Sequence, residues 1–220
     1  MNKQFIVVVA VIVLGLFGIL MFTRQDKKDD QGGNQNASAQ TSNHIAGNPN
    51  ASVTLVEYAD FQCPACAVYF PVVQQLKTEY ADNLKFQFKH FPLVSIHPNA
   101  FIASRAAEAA SKQNKFFEMH DLLFQNQDAW AQVTDPTETF VGYATQLNLN
   151  TEQFKSDMRS EVVGDTINAD LKEGQGLGAN STPTFFINGR KIEPNPQTLD
   201  DFKKIIDEEI AKASGQNQNQ

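Results

Sequence analysis

Apolar positions along this chain fall into four regimes. Every residue from Phe5 to Thr23 is uncharged and most are aliphatic, whereas apolar side chains are sparse from Arg24 to Pro49. From Val53 to Ala213, short alternating runs interleave with longer stretches of helical period, and Ser214 to Gln220 is polar again. The first run approaches the ~20 residues that span a bilayer and exceeds the roughly 7–15 apolar residues of a signal-peptide core. No small-residue cleavage site follows at Ile19-Leu20-Met21-Phe22. Residues 1–23 are therefore expected to be an uncleaved membrane anchor. Residues 24–49, rich in Gln, Asn, Gly and Ser, read as a disordered polar tether with a mean span of roughly 30 Å. Residues 50–213 form the folded domain and 214–220 a disordered tail.

Within the domain, Val53–Ala59 is short and β-branched, which predicts a strand. After Cys63, the stripe Val68, Val72, Val73, Leu76 and Tyr80 predicts a helix, kinked at Pro71. Leu84–Phe91 alternates Phe86 and Phe88 with Gln87 and Lys89, a second strand. A block of helices fills about 97–175. Pro98 suits a first helical position ahead of an alanine-rich stretch, Phe116 to Leu123 marks a second helix, and Thr134-Asp135-Pro136 starts a third. Asn150 with Gln153 resembles a capping pair, and a last helix through Val163, Ile167 and Leu171 ends at Gly174, Gly176 and Gly178. Pro183–Ile187 then turns at Asn188-Gly189, the strongest short hairpin signal, before a closing helix through Leu199, Phe202, Ile206 and Ile210. This order gives an α/β domain with a helical insertion.

The net charge of −7 offers no basic face for nucleic acid. Basic residues flank the apolar run on both sides, Lys3 before it and Arg24, Lys27 and Lys28 after it. Counted alone, they place the domain in the cytoplasm. The export-like Lys3 and the chemistry at Cys63 favour the outside, so the domain is expected to be extracytoplasmic.

Cys63 and Cys66 are the only cysteines. A disulfide between them closes a very small loop and stabilises little, so chemistry is a better reason for the pair than stapling. A structural zinc site wants four ligands, and His44, His90, His97 and His120 show no ligand spacing. They read individually as a tether residue, a strand position, a helix-start neighbour and an ordinary helix residue; no metal or other cofactor is implied. With Pro64 at the first helical position, Cys63 faces the unpaired N–H groups and positive dipole end of a helix, which favour a thiolate. Cys63 is thus expected to be the exposed nucleophile and Cys66 the more buried resolving thiol. Glu57 shares a strand face with Leu55, Ala59 and Phe61. It is either a buried acid or an edge carboxylate in water.

Two motifs carry a family resemblance: Tyr58-Ala59-Asp60-Phe61-Gln62-Cys63-Pro64-Ala65-Cys66 and Ser181-Thr182-Pro183-Thr184-Phe185-Phe186-Ile187-Asn188-Gly189. A weaker third is Phe91-Pro92-Leu93 with His97-Pro98-Asn99-Ala100. Together they resemble the thioredoxin-fold thiol–disulfide oxidoreductases, in the DsbA-like group with an inserted helical subdomain, over about Val53 to Ala213. The resemblance implies a cis Thr182–Pro183 bond facing the cysteines, with Pro64, Ala65, Thr182 and Pro183 tuning the pair and meeting substrate. It also implies proton exchange between Glu57 and Cys66. Ala65 stands where the strongest oxidants of the group carry a histidine, which suggests a milder couple. No separate dimerisation domain precedes the active site, so a monomeric oxidase acting on exported proteins with free thiols is favoured. Reoxidation would fall to a quinone-linked membrane thiol oxidase of the DsbB or vitamin-K-reductase type. A reductase or isomerase kept reduced by a membrane donor, or a tethered binding module without catalysis, are the alternatives.

Overall fold

The computed structural model describes residues 40–216, so the expected anchor and most of the expected tether lie outside the described residues. Strand β1 (His44–Gly47) precedes β2 (Val53–Ala59), helix α1 (Pro64–Glu79) and β3 (Leu84–His90). Six helices follow: α2 (Ala100–Ser111), α3 (Phe116–Gln125), α4 (Gln127–Trp130), α5 (Thr137–Gln146), α6 (Thr151–Arg159) and α7 (Glu161–Gly176). The hairpin β4 (Thr184–Ile187) and β5 (Arg190–Lys191) and helix α8 (Leu199–Gln216) complete the order.

The strands form one mixed sheet in the order β1-β3-β2-β4-β5. β2 and β3 run parallel at its centre, and β1 and β4 flank them antiparallel. Both faces of β2 are covered. Leu55, Ala59 and Phe61 join the large core with α1, the insertion helices and α8. On the opposite face, Tyr58 packs with Phe91, Ala179 and Phe186. Gly174 lies within α7 on that second face. A Cβ there would sit 2.7 Å from Tyr58 Cδ1 and 2.9 Å from Phe91 Cδ2, so only glycine lets the helix approach so closely.

Four expectations are corrected. The domain begins before residue 50, because His44–Gly47 is an ordered strand paired with Lys85–Phe88. Just ahead of it the buried Asp170 accepts from Ser42 N at 2.8 Å and from Ser42 Oγ, which fastens the segment despite its polar composition. The chain's end is ordered as far as Gln216 as the last turn of α8. Pro98 is not the first residue of a helix: α2 starts at Ala100, after Asn99. And α7 continues through Gly174 to Gly176, with Gly178 at φ +87° turning the chain away. The capping pair does form, Asn150 Oδ1 accepting from Gln153 N at 3.0 Å, and Asn188 and Gly189 both have the positive φ that a tight hairpin turn needs.

Candidate active site

β2 ends at Ala59, the chain turns through Asp60–Gln62, and Cys63 sits at the N-cap of α1 with extended backbone. Pro64 is the first helical residue, where its missing N–H is no loss. Both thiols are free. Cys66 is fully buried, and Cys63 is only 7% exposed, so the nucleophile is more sheltered than the sequence suggested. The difference between the two is one of electronics more than of exposure. Cys63 is lowered to about 5, first by a hydrogen bond from the Cys66 thiol and, against burial, by the Thr182 hydroxyl and the N–H groups of Cys66 and Ala65. Cys66 is pushed well up by burial, by its bond to Cys63 and by the nearby charges of Cys63 and Glu57. Rapid alkylation by iodoacetamide should therefore titrate with a midpoint near pH 5 and level off by neutrality. A midpoint near the ordinary thiol value of about 8.5 would contradict this environment.

The Thr182–Pro183 bond is cis, and Thr182 faces Cys63. As a thiol, Cys63 donates to the Thr182 carbonyl at 3.4 Å. The Thr182 hydroxyl is buried and has no other hydrogen-bond partner, which leaves it to the Cys63 thiolate. β4 pairs with β2 only from Thr184 onward, so Thr182 and Pro183 extend past the ladder beside the cysteines. Pro183 offers no N–H, and its carbonyl accepts from Asn195 Nδ2 at 2.7 Å. A second cis bond, Glu193–Pro194, was not foreseen.

Glu57 is buried, 3% exposed, on the β2 face that carries Leu55 and Ala59. Burial raises its carboxyl to about 8, with Lys77 opposing. The water-exposed alternative is thus removed. Lys77, from the far end of α1, was not singled out in the sequence. Its Nζ lies over the rings of Phe117 and Phe86, at 4.8 and 5.5 Å, and burial lowers its pKa.

A polar frame behind the cysteines also escaped the sequence reading. The fully buried Asp60 carboxylate accepts from Gln62 N (2.7 Å) and Leu93 N (2.9 Å) and bonds His97 Nδ1 (2.6 Å). Gln62 accepts from Asn99 N at 2.6 Å and donates to the Ala131 carbonyl at 2.7 Å. Gln127 donates to the carbonyls of Phe61 and Cys63. Apart from the bond of Gln62 N to Asp60, every link joins the active-site turn to the insertion or its entry loop. The helical block therefore fixes the position of Cys63. Only the order Asp60-Phe61-Gln62, polar residues at a strand end beside the thiols, hints at this in the sequence.

A reactive thiol at a helix start, a buried partner one turn on and a cis-proline loop opposite define a thiol–disulfide exchange site on a thioredoxin-type sheet with a helical insertion. The chain belongs to the thioredoxin family: residues 39–208 match its family model, described as Thioredoxin. Within that family its strong structural matches include DsbA-like thiol–disulfide oxidoreductases. It is similar to oxidised BdbD from Bacillus subtilis, at 26% identity and TM-score 0.66, covering 79% of this chain and 97% of that one. It shares its fold with Wolbachia pipientis alpha-DsbA1, at 24% identity and TM-score 0.70, covering 80% and 94%. A curated relative is the Na(+)/H(+) antiporter NhaA 1 of Mycobacterium sp. (strain KMS), 38% identical over 152 residues. That match takes in 67% of this chain and 24% of the antiporter, so the chain spans about a quarter of such relatives' length. Among the described residues, no helix is long and apolar enough to cross a membrane.

Proposed function

We propose that this protein is a membrane-anchored, extracytoplasmic oxidase that introduces disulfides into exported proteins through Cys63 and Cys66. The observation that carries the direction is the split between the thiols, Cys63 low and Cys66 high. A stabilised Cys63 thiolate favours the reduced form of the pair and so makes its disulfide an oxidant. A substrate thiolate attacks Cys63 Sγ of the disulfide, and the S–S bond breaks toward Cys66, which leaves as a thiolate. Glu57, kept protonated by burial up to about pH 8, supplies the proton that Cys66 takes. A second substrate thiolate then attacks the substrate sulfur of the mixed disulfide and expels Cys63 as its stable thiolate. The substrate loses two electrons, the pair gains them, and a quinone-linked membrane thiol oxidase is the class of partner that removes them.

Ala65 supplies no extra cation to the thiolate, so a couple milder than the strongest oxidants fits. The anchor and the outside location rest on the apolar run Phe5–Thr23 and on the exchange site's need for an oxidising compartment. The antiport named for the curated relatives is no part of the proposal, because this chain spans only a quarter of them.

Equilibration of the Cys63–Cys66 pair with glutathione buffers tests the direction. The expected potential lies between about −120 and −200 mV. A value near thioredoxin's, about −270 mV, would make the pair a reductant and overturn the oxidase reading. Labelling of Cys63 in intact cells with a membrane-impermeant thiol reagent tests the side, and protection until lysis would put the domain in the cytoplasm.

A further inference from the structure

His44, His90 and Glu108 are distant in sequence and meet in the core, on the β1 side of the sheet. We propose that they form a three-ligand site for a divalent transition metal of borderline softness, with zinc as its probe. His44 Nε2 lies 2.5 Å and His90 Nε2 2.8 Å from the same oxygen, Glu108 Oε1, and the donor atoms of all three lie within 4.8 Å of one another. Their side chains are 10%, 0% and 6% exposed, respectively. Two imidazole nitrogens and one carboxylate oxygen, with a further position open to water, are a recurrent donor set for zinc and neighbouring metals. Nitrogen donors argue against calcium and magnesium.

The positions are rigid. His44 sits on β1, His90 ends β3 and Glu108 lies within α2, so no loop has to close to build the site. Phe116 stacks on the His44 ring at 3.4 Å between centroids, and Phe88 stands edge-on to His90 at 5.4 Å. These rings exclude water from two sides. Donors bound to one tetrahedral ion stand about 3.3 Å apart, so each imidazole has to draw back from Glu108 by less than about 1 Å.

His90 Nε2 donates to Glu108 Oε1 at 2.8 Å, and binding a metal there shifts that proton to Nδ1, which has no hydrogen-bond partner to oppose the exchange. A metal here would pin the edge strand β1 to β3 and α2. It takes no part in thiol exchange.

The test uses the full chain with Cys63→Ser and Cys66→Ser, so that thiolates do not bind the probe, and titrates it with Zn²⁺ and Co²⁺ by calorimetry and visible absorption. Expected are one ion per chain with a Kd below about 10 µM, cobalt d–d bands without sulfur charge transfer, and slower amide exchange in His44–Gly47. Glu108→Gln and His44→Gln should each weaken binding at least about tenfold. Should Glu108→Gln fail to fold, the edge-strand variant His44→Gln decides. Absence of one-to-one binding, or binding unmoved in the variants that fold, would overturn the site and leave a carboxylate shared by two imidazole donors. Neither result bears on exchange at Cys63, which the glutathione equilibrium measures separately.

Discussion

Replacing Cys63 with serine should reduce the oxidation of a reduced protein substrate to its uncatalysed rate, whereas Cys66→Ser should accumulate mixed disulfides. The asymmetry follows from the two environments. A serine hydroxyl at the N-cap of α1 can neither form nor leave an S–S bond. Cys66 cannot take over, because it is fully buried and its thiol is held well above the ordinary range. Cys66→Ser keeps the Cys63 thiolate, with its bonds from the N–H groups of the first helical turn and from Thr182. It loses the hydrogen bond from the Cys66 thiol, which a serine hydroxyl can partly replace. With no resolving sulfur behind it, an adduct between Cys63 and a substrate persists. Non-reducing gels of the variant incubated with a disulfide-containing unfolded protein should show a reducible adduct. Substantial turnover by Cys63→Ser, or no adduct with Cys66→Ser beside an active wild type, would reverse the two roles.

Legibility in the sequence followed the range of the interactions involved. The strand, the proline-started helix and the Asn188-Gly189 turn are written in local periodicity and backbone chemistry, so they were readable without a partner. The cysteines were readable because their spacing and the helix start lie within four residues. The frame around them was not. Gln127 reaches the Phe61 carbonyl across 66 positions, and Gln62 meets Asn99 across 37. His44 and Glu108 are separated by 64 positions, so no local spacing marks them as one cluster. Strand β1 failed for a related reason. Four residues with one isoleucine show no alternation, and what orders them is the open edge of β3 and the buried carboxylates of Asp170 and Glu108. Burial of Glu57 was half legible. Alternation gave the face, but both faces of β2 looked apolar, and only the packing of α1 and α8 decided that no water reaches it.

Glu57→Gln should separate the stability of this protein from its activity. Burial raises the carboxyl from 4.5 to about 8. Between those values the folded chain holds a proton that the unfolded chain has released, so native stability declines as pH rises through that window. The loss amounts to something on the order of 5 kcal/mol once the pH exceeds both values, with the opposing charge of Lys77 already included and relaxation reducing it. Glutamine cannot ionise, and it matches the neutral acid in shape. At pH 4 the variant should unfold at nearly the same urea concentration as the wild type. At pH 9 it should be the more stable of the two, by a margin that opens above about pH 4.5 and levels off above about pH 8. Exchange should move the other way. Without a group that hands a proton to the departing Cys66 thiolate and takes it back on reoxidation, turnover near neutral pH should fall on the order of 10²-fold. Equal urea midpoints at pH 9 would show that the carboxylate is solvated after all. Unchanged turnover would mean that water, not Glu57, carries the proton. If both effects appear, the sheet keeps a carboxyl where a neutral side chain would be more stable because the buried thiol beside it needs a proton donor.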